Sequence, residues 1–244
     1  MKNYVLKFQF MCSFYMLLLI ELNIDELFVV GGDFLSNVKL VERDYHIFQT
    51  ISKWRVISGK HICKLCDFSS QSACDRRLRK LIDNGYVTRR KILYGIPNIY
   101  YLTDISKKMI GIKLQSEQIR VEQIVHDLTV LDTAIYFNSK FNISFSSMIT
   151  EKQLHSKDGF GIRRHRPDFV FERNQKKYCV EVELNLKSRE RFLKNIVSNF
   201  TDYDGQFWIV PDINSKIAVF LEKQKNNYPN IKLIELSEVK NYEL

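Results

Sequence analysis

The sequence predicts an α+β or α/β protein with a helical, basic front half and a rear half built on a mixed β-sheet. Three observations carry that prediction. Apolar residues recur at helical spacing in residues 42–84 and again in 114–140. Apolar and acidic residues alternate at strand spacing between residues 168 and 184. Turn formers such as Asn84-Gly85 and Gly95-Ile96-Pro97 punctuate these segments. Composition agrees. The 244 residues are 45% hydrophobic and 27% charged, with 9 Gly and 4 Pro, which excludes disordered and collagen-like chains. Five cysteines at irregular spacing argue against a secreted disulfide framework and for a reducing, cytoplasmic setting.

The organisation expected is fourfold: an apolar N-terminal segment over 1–37, a helical module over 38–112, a connecting helix over 113–142, and a sheet domain over 143–244. In the first segment, Phe10 to Ile20 is an apolar run behind Lys2 and Lys7. It falls short of the roughly 20 apolar residues a membrane span needs. Glu21 follows at once, and no small-x-small cleavage site appears before Glu26. The run reads as a buried helix or strand, or as sequence upstream of a working start at Met11 or Met16. In the connecting segment, Ile119, Ile124, Leu128, Leu131 and Ile135 keep helical spacing, as one long helix or two shorter ones.

In the front half, Tyr45, Ile47, Phe48 and Ile51 predict a first helix over Glu42 to Trp54, and Gly59 to Cys66 a second. Ser69, Ser70 and Ser72 are candidate N-caps for a third helix ending at Asn84-Gly85. Its Ala73, Leu78, Leu81 and Ile82 form an apolar stripe, while Arg76, Arg77, Arg79 and Lys80 line the other side. Tyr86 to Thr88 and Asn98 to Leu102 then read as two strands around an Arg89-Arg90-Lys91 tip. Three helices and a basic hairpin make the winged helix-turn-helix pattern. Cys63-Lys64-Leu65-Cys66, with His61 and Cys74 nearby, lacks the second ligand pair of a structural zinc site and reads as packed thiols in a helix.

Charge location gives this module its expected partner. The chain carries 37 Lys and Arg against 28 Asp and Glu, a net +9. Residues 53–91 hold eleven basic side chains against three acidic ones, a net +8. So concentrated a charge points to double-stranded DNA rather than a membrane surface. Ser70, Gln71, Ser72 and Asp75 are placed for base edges, and Arg76 and Arg77 for bases or backbone. Arg79, Lys80, Arg89, Arg90 and Lys91 are placed for phosphates. The competing reading is a solvated basic face on a protein-interaction module.

The rear half is most informative from Arg163 to Arg191. Asp168 to Glu172, a polar turn over Arg173 to Lys177, and Tyr178 to Leu184 predict a β-hairpin. Alternation puts Phe169, Phe171, Tyr178, Val180, Val182 and Leu184 toward a core and Asp168, Glu181 and Glu183 on the other side. A Ser188-capped helix with Phe192, Ile196, Val197 and Phe200 follows, then strands at Phe207 to Val210 and Ile231 to Leu236.

A Pro-Asp on one strand, alternating acids on the next, a lysine and then a helix resemble the PD-(D/E)xK, restriction-endonuclease-like core. That resemblance implies an Mg²⁺-dependent DNA endonuclease. Asp168, Glu181 and Glu183 would be the metal ligands, Lys187 the catalytic lysine and Glu151 an additional upstream acid. The sequence departs from the motif, because Glu183 stands where its lysine belongs and Lys187 is displaced. Arg163, Arg164, His165 and Arg166 beside the carboxylates would suit a phosphate-facing site.

Over residues 40–220 the chain also resembles the replication-relaxation family of plasmid and mobile-element proteins. The resemblance rests on His126-Asp127-Leu128, Arg166-Pro167-Asp168 and Glu181-Val182-Glu183-Leu184 with Lys187-Ser188. It implies a cytoplasmic DNA-binding protein of replication, relaxation or mobilisation, working with a relaxase or replication protein, with a homodimer among its open assemblies. An active endonuclease and a transcriptional regulator with an assembly-only second domain are the alternatives.

Overall fold

The computed structural model describes residues 38–92, 94–112, 121–158, 164–185 and 188–241. The N-terminal apolar run and the expected helix residues 113–120 lie outside them. The chain is mixed α/β. Helices α1 (Glu42–Lys53), α2 (Gly59–Leu65) and α3 (Gln71–Asp83) precede a hairpin of β1 (Val87–Arg90) and β2 (Ile99–Leu102), then α4 (Asp104–Met109). The Ser70 hydroxyl caps α3 by accepting from Ala73 N–H at 3.2 Å. Its other end closes as expected: Gly85 takes φ +71°, and the N–H groups of Gly85 and Tyr86 return to Ile82 and Leu81 carbonyls. A one-residue bridge from Ser58 to Ile99 ties the start of α2 to the hairpin.

Helix α5 (Ile124–Phe141) leads into a five-stranded sheet, β3 (Ile149–Thr150), β4 (Phe169–Arg173), β5 (Lys176–Val182), β6 (Gly205–Val210) and β7 (Ile231–Glu235), in that spatial order. Pairing is antiparallel from β3 to β5 and parallel from β5 to β7. The antiparallel hairpin turns tightly through Asn174 and Gln175, both at positive φ. Each parallel step needs a crossover, supplied by α7 (Arg189–Asp202) and α8 (Lys216–Gln224). The sheet domain also holds α6 (Glu151–Ser156) and α9 (Leu236–Asn241). These two are too short to carry a periodic signal, and the sequence reading places no helix at α8.

Strand alternation sorts the two faces. Phe169, Phe171, Val180, Val182 and Ile209 pack beneath α5, whose Phe137 ring lies 5.8 Å from Phe169 and 5.5 Å from Phe171. The opposite face packs Trp208 against Phe192 of α7 at 5.1 Å. The front helices do not form a separate module. The buried core under α5 continues through Trp54, which meets Phe169 edge-on at 6.4 Å, into Ile47, Phe48 and Leu78. His61 reinforces the junction: its ring bonds Ser58 at 2.6 Å and Asp132 of α5 at 3.0 Å. Buried residues of the front helices, α5 and the sheet thus belong to one cluster. No helix among the described residues is long and apolar enough to cross a membrane.

Candidate functional site

Two polar regions come from the expected site residues. The first is α3 with the β1–β2 hairpin. The buried stripe Cys74, Leu78 and Leu81 turns the other side outward, leaving Gln71, Ser72, Arg76, Arg79 and Lys80 exposed. Arg89, Arg90 and Lys91 are exposed on the hairpin. Arg90 lies 5.9 Å over the Tyr101 ring, and Lys91 bonds the Ile96 carbonyl across the loop. Arg76, Arg79, Lys80, Arg89 and Arg90 form no ion pair among the described residues.

Arg77 differs. Its Nε donates to Asp44 Oδ1 at 2.7 Å, and its Nη2 to Asp44 Oδ2 and to the Lys39 carbonyl. Asp44 is fully buried on α1 and also accepts from Val41 N–H at 2.8 Å. The hydrogen bond to Asp44 holds the Arg77 guanidinium above its ordinary range. Arg77 thus locks α3 to α1, and its guanidinium is taken up there rather than free for the base or backbone contact expected of it. The cysteines of this region are packed: Cys66 contacts Thr50 and Cys74 the Gly59 carbonyl, and burial pushes their thiols up to about 11 and about 12.

The second region is a carboxylate corner at the start of β4 and the end of β5. The β4–β5 register pairs Phe169 with Val180, which sets Asp168 opposite Glu181. Asp168 takes the Val182 N–H on its carboxylate at 2.7 Å in place of a strand hydrogen bond. His126 of α5 reaches the same point, 3.0 Å from the Val182 carbonyl and 3.6 Å from Asp168. A carbonyl only accepts, so Nε2 carries a proton; the other nitrogen faces Asp127 at 3.3 Å. Burial opposes charge on His126, but Asp127 and Asp168 outweigh it and raise its pKa. Burial raises Asp168, against the pull of His126.

Glu181 turns to the α7 face. It accepts from His165 at 2.5 Å and from the Asn199 amide at 2.8 Å. Glu183 is buried, its N–H paired with the Ile209 carbonyl. Glu151, at the start of α6, faces Arg55 at 3.3 Å and His155 at 3.6 Å. Lys187 and Arg163 lie outside the described residues. Among the described residues no three Asp, Glu, His or Cys side chains stand together as a metal site, so the expected Asp168, Glu181 and Glu183 triad is not assembled. The basic run is diverted too. Arg166 is bonded to Asp158 and Arg164 lies 3.6 Å from it, while His165 is given to Glu181. The contacts made by Asn199, Asp158 and Arg55 escape sequence reasoning because nothing local marks partners 8 to 96 residues away.

A mixed α/β protein with an exposed basic helix–hairpin and a closed carboxylate corner is the class these features define. No protein-family model matches the chain, and no curated protein does. Among solved structures, PadR of Bacillus subtilis, in its crystal structure with operator DNA, is similar at 23% identity, covering 48% of this chain and 80% of PadR with a TM-score of 0.24.

Proposed function

We propose that the protein binds double-stranded DNA, using α3 and the β1–β2 hairpin as a winged helix-turn-helix. The observation that carries this is the set of exposed arginines, Arg76, Arg79, Arg89 and Arg90, without carboxylate partners among the described residues. Cationic side chains at helix and hairpin spacing suit a major groove flanked by phosphates. Ser72 and Gln71, exposed at the start of α3, are positioned for base edges, although Gln71 also bonds Asp75 at 2.8 Å. A role in replication, relaxation or mobilisation of a mobile element, with a relaxase or replication protein as partner, rests on the motif resemblance alone.

The test is duplex binding across a salt series by the parent and by Arg76→Ala/Arg79→Ala/Arg89→Ala/Arg90→Ala. Each phosphate left without its cation should flatten the log–log salt slope by about 0.9. The quadruple variant should therefore bind far more weakly, with a slope shallower by roughly 3 to 4. Equal affinity and slope would overturn the reading.

The sheet supports a second reading. An antiparallel hairpin continuing into parallel strands through a helix, with Asp168 and Glu181 side by side, is the arrangement expected of a PD-(D/E)xK core. Its metal chemistry does not fit the side chains as placed, since Asp168 is engaged by Val182 and His126, and Glu181 by His165 and Asn199. We therefore read this half as a non-catalytic support. Supercoiled plasmid with Mg²⁺ or Mn²⁺ should stay intact; nicking abolished by Asp168→Ala would replace the support reading with the nuclease one.

A further inference from the structure

Helix α5 does not cover its whole face of the sheet. Around its last turn a row of rings crosses the strands: Phe171 of β4 and Phe207 of β6, both touched by Phe137, with Tyr178 of β5 between them. Phe171 and Tyr178 stack at 5.3 Å with 19° between planes, and Phe207 lies 5.9 Å from Tyr178 and 6.1 Å from Phe141. Tyr178 and Phe207 are only half-buried, and with their neighbours they line a cavity of about 560 Å³. That volume falls in the range of small-molecule sites, roughly 300–1,000 Å³. The Tyr178 ring rests on Gly205, where a Cβ would come within 2.7 Å of it. The absence of a side chain there sets the height of the platform.

The rim is cationic. Lys232 stands 5.3 Å over the Phe207 ring, and exposed Arg173 ends β4 at the opposite corner of the cavity. Two other rim lysines are occupied, Lys140 by Glu238 at 2.9 Å and Lys225 by Glu222 at 2.5 Å. Arg173 and Lys232 have no carboxylate partner among the described residues. Flat π faces beside two unpaired cations match a ligand that is itself a flat ring carrying a phosphate. A purely apolar occupant would leave the cations unused, and an acidic peptide would leave the rings unused.

We propose that this platform binds an unpaired nucleotide, the base beside Tyr178 and on the Phe207 face in place of Lys232, and its phosphate at the displaced Lys232 or, at the other corner of the cavity, at Arg173. It lies at the hairpin-turn end of β4 and β5, with the Asp168 corner at the opposite end of the same strands. The proposal does not depend on duplex binding by α3. The nucleotide is either free or part of a single strand, and the two sources share this chemistry.

The test uses the full chain carrying the quadruple Ala substitution of Arg76, Arg79, Arg89 and Arg90, which silences the other basic surface. Fluorescence anisotropy would follow a labelled oligothymidylate, with thymidine monophosphate as competitor and an oligonucleotide length series. In that background, Arg173→Glu/Lys232→Glu and Tyr178→Ala should each weaken binding about tenfold, while Tyr178→Phe keeps it. Affinity rising with length identifies a strand; equal binding of the mononucleotide identifies a free nucleotide. No binding of either probe, or variants matching their background, would overturn the proposal. The charge-reversal pair carries the test if Tyr178→Ala fails to fold, because both of its side chains are exposed.

Discussion

Arginine meets two fates in this molecule. On α3 and the hairpin, Arg76, Arg79, Arg89 and Arg90 stand exposed with no ion pair among the described residues. In the sheet half, Arg166 and Arg164 converge on Asp158, and on α3 itself Arg77 is spent on Asp44. Both stretches read as basic runs in the sequence, yet among the described residues most cations lack a carboxylate only in the first. A charge becomes a docking surface only where no nearer carboxylate claims it. Arg76 and Arg77 are adjacent, and about 100° of helix rotation separates an outward side chain from a structural one.

The comparison breaks most sharply at Asp44. Removing the acid leaves the half-buried Arg77 without its partner, a kind of change that costs about 3–5 kcal/mol. Asp44→Ala should lose stability on that scale in urea unfolding, whereas exposed Arg76→Ala should stay within about 0.5 kcal/mol. Equal effects of the two would mean that Arg77 is no more structural than its neighbour.

The same residues show how far the sequence can be read. The helix stop at Asn84-Gly85, the Ser70 and Ser188 caps and the faces of the 168–184 hairpin depend on neighbours within a few positions. They are legible because their causes are local. The Arg77–Asp44 pair spans 33 residues and the Glu181–Asn199 bond 18, and no spacing rule links them. Alternation puts Asp168 and Glu181 near one another, but their partners decide what they do. His126 and Val182 take one, His165 and Asn199 the other. The shared core under Trp54 stays hidden for the same reason, since composition alone shows no boundary being crossed.

A middle-sized effect should come from His126, the cation of the carboxylate corner. Its pKa is raised in the folded state above the ordinary 6.5, and that of Asp168 is raised above 3.8. Both groups therefore hold protons more tightly folded than unfolded, and their contribution to stability falls as pH rises. For His126 the contribution is complete below 6.5 and is lost as pH climbs through its raised folded value. The parent's Tm should decline by a few degrees from neutral into mildly alkaline solution. His126→Gln, which keeps an N–H for the Val182 carbonyl but no titrating charge, should show a flatter profile. Matching profiles would place the pH sensitivity elsewhere.

The smallest effect sharpens the boundary between the two kinds of arginine. Arg55 lies within the basic 53–91 stretch and is 39% exposed at its side chain, so exposure alone would group it with Arg76. It is nevertheless paired, 3.3 Å from Glu151 and 3.9 Å from Asp127. Exposed pairs of this kind contribute about 1 kcal/mol or less, so Arg55→Ala should barely move the unfolding midpoint. Its charge is already answered by carboxylates, and it should release no counterion from DNA. The salt slope of duplex binding should match the parent's, while Arg76→Ala alone should flatten it by about 0.9. If Arg55→Ala flattens the slope equally, Glu151 does not hold Arg55 in solution, and pairing ceases to be what separates the two groups.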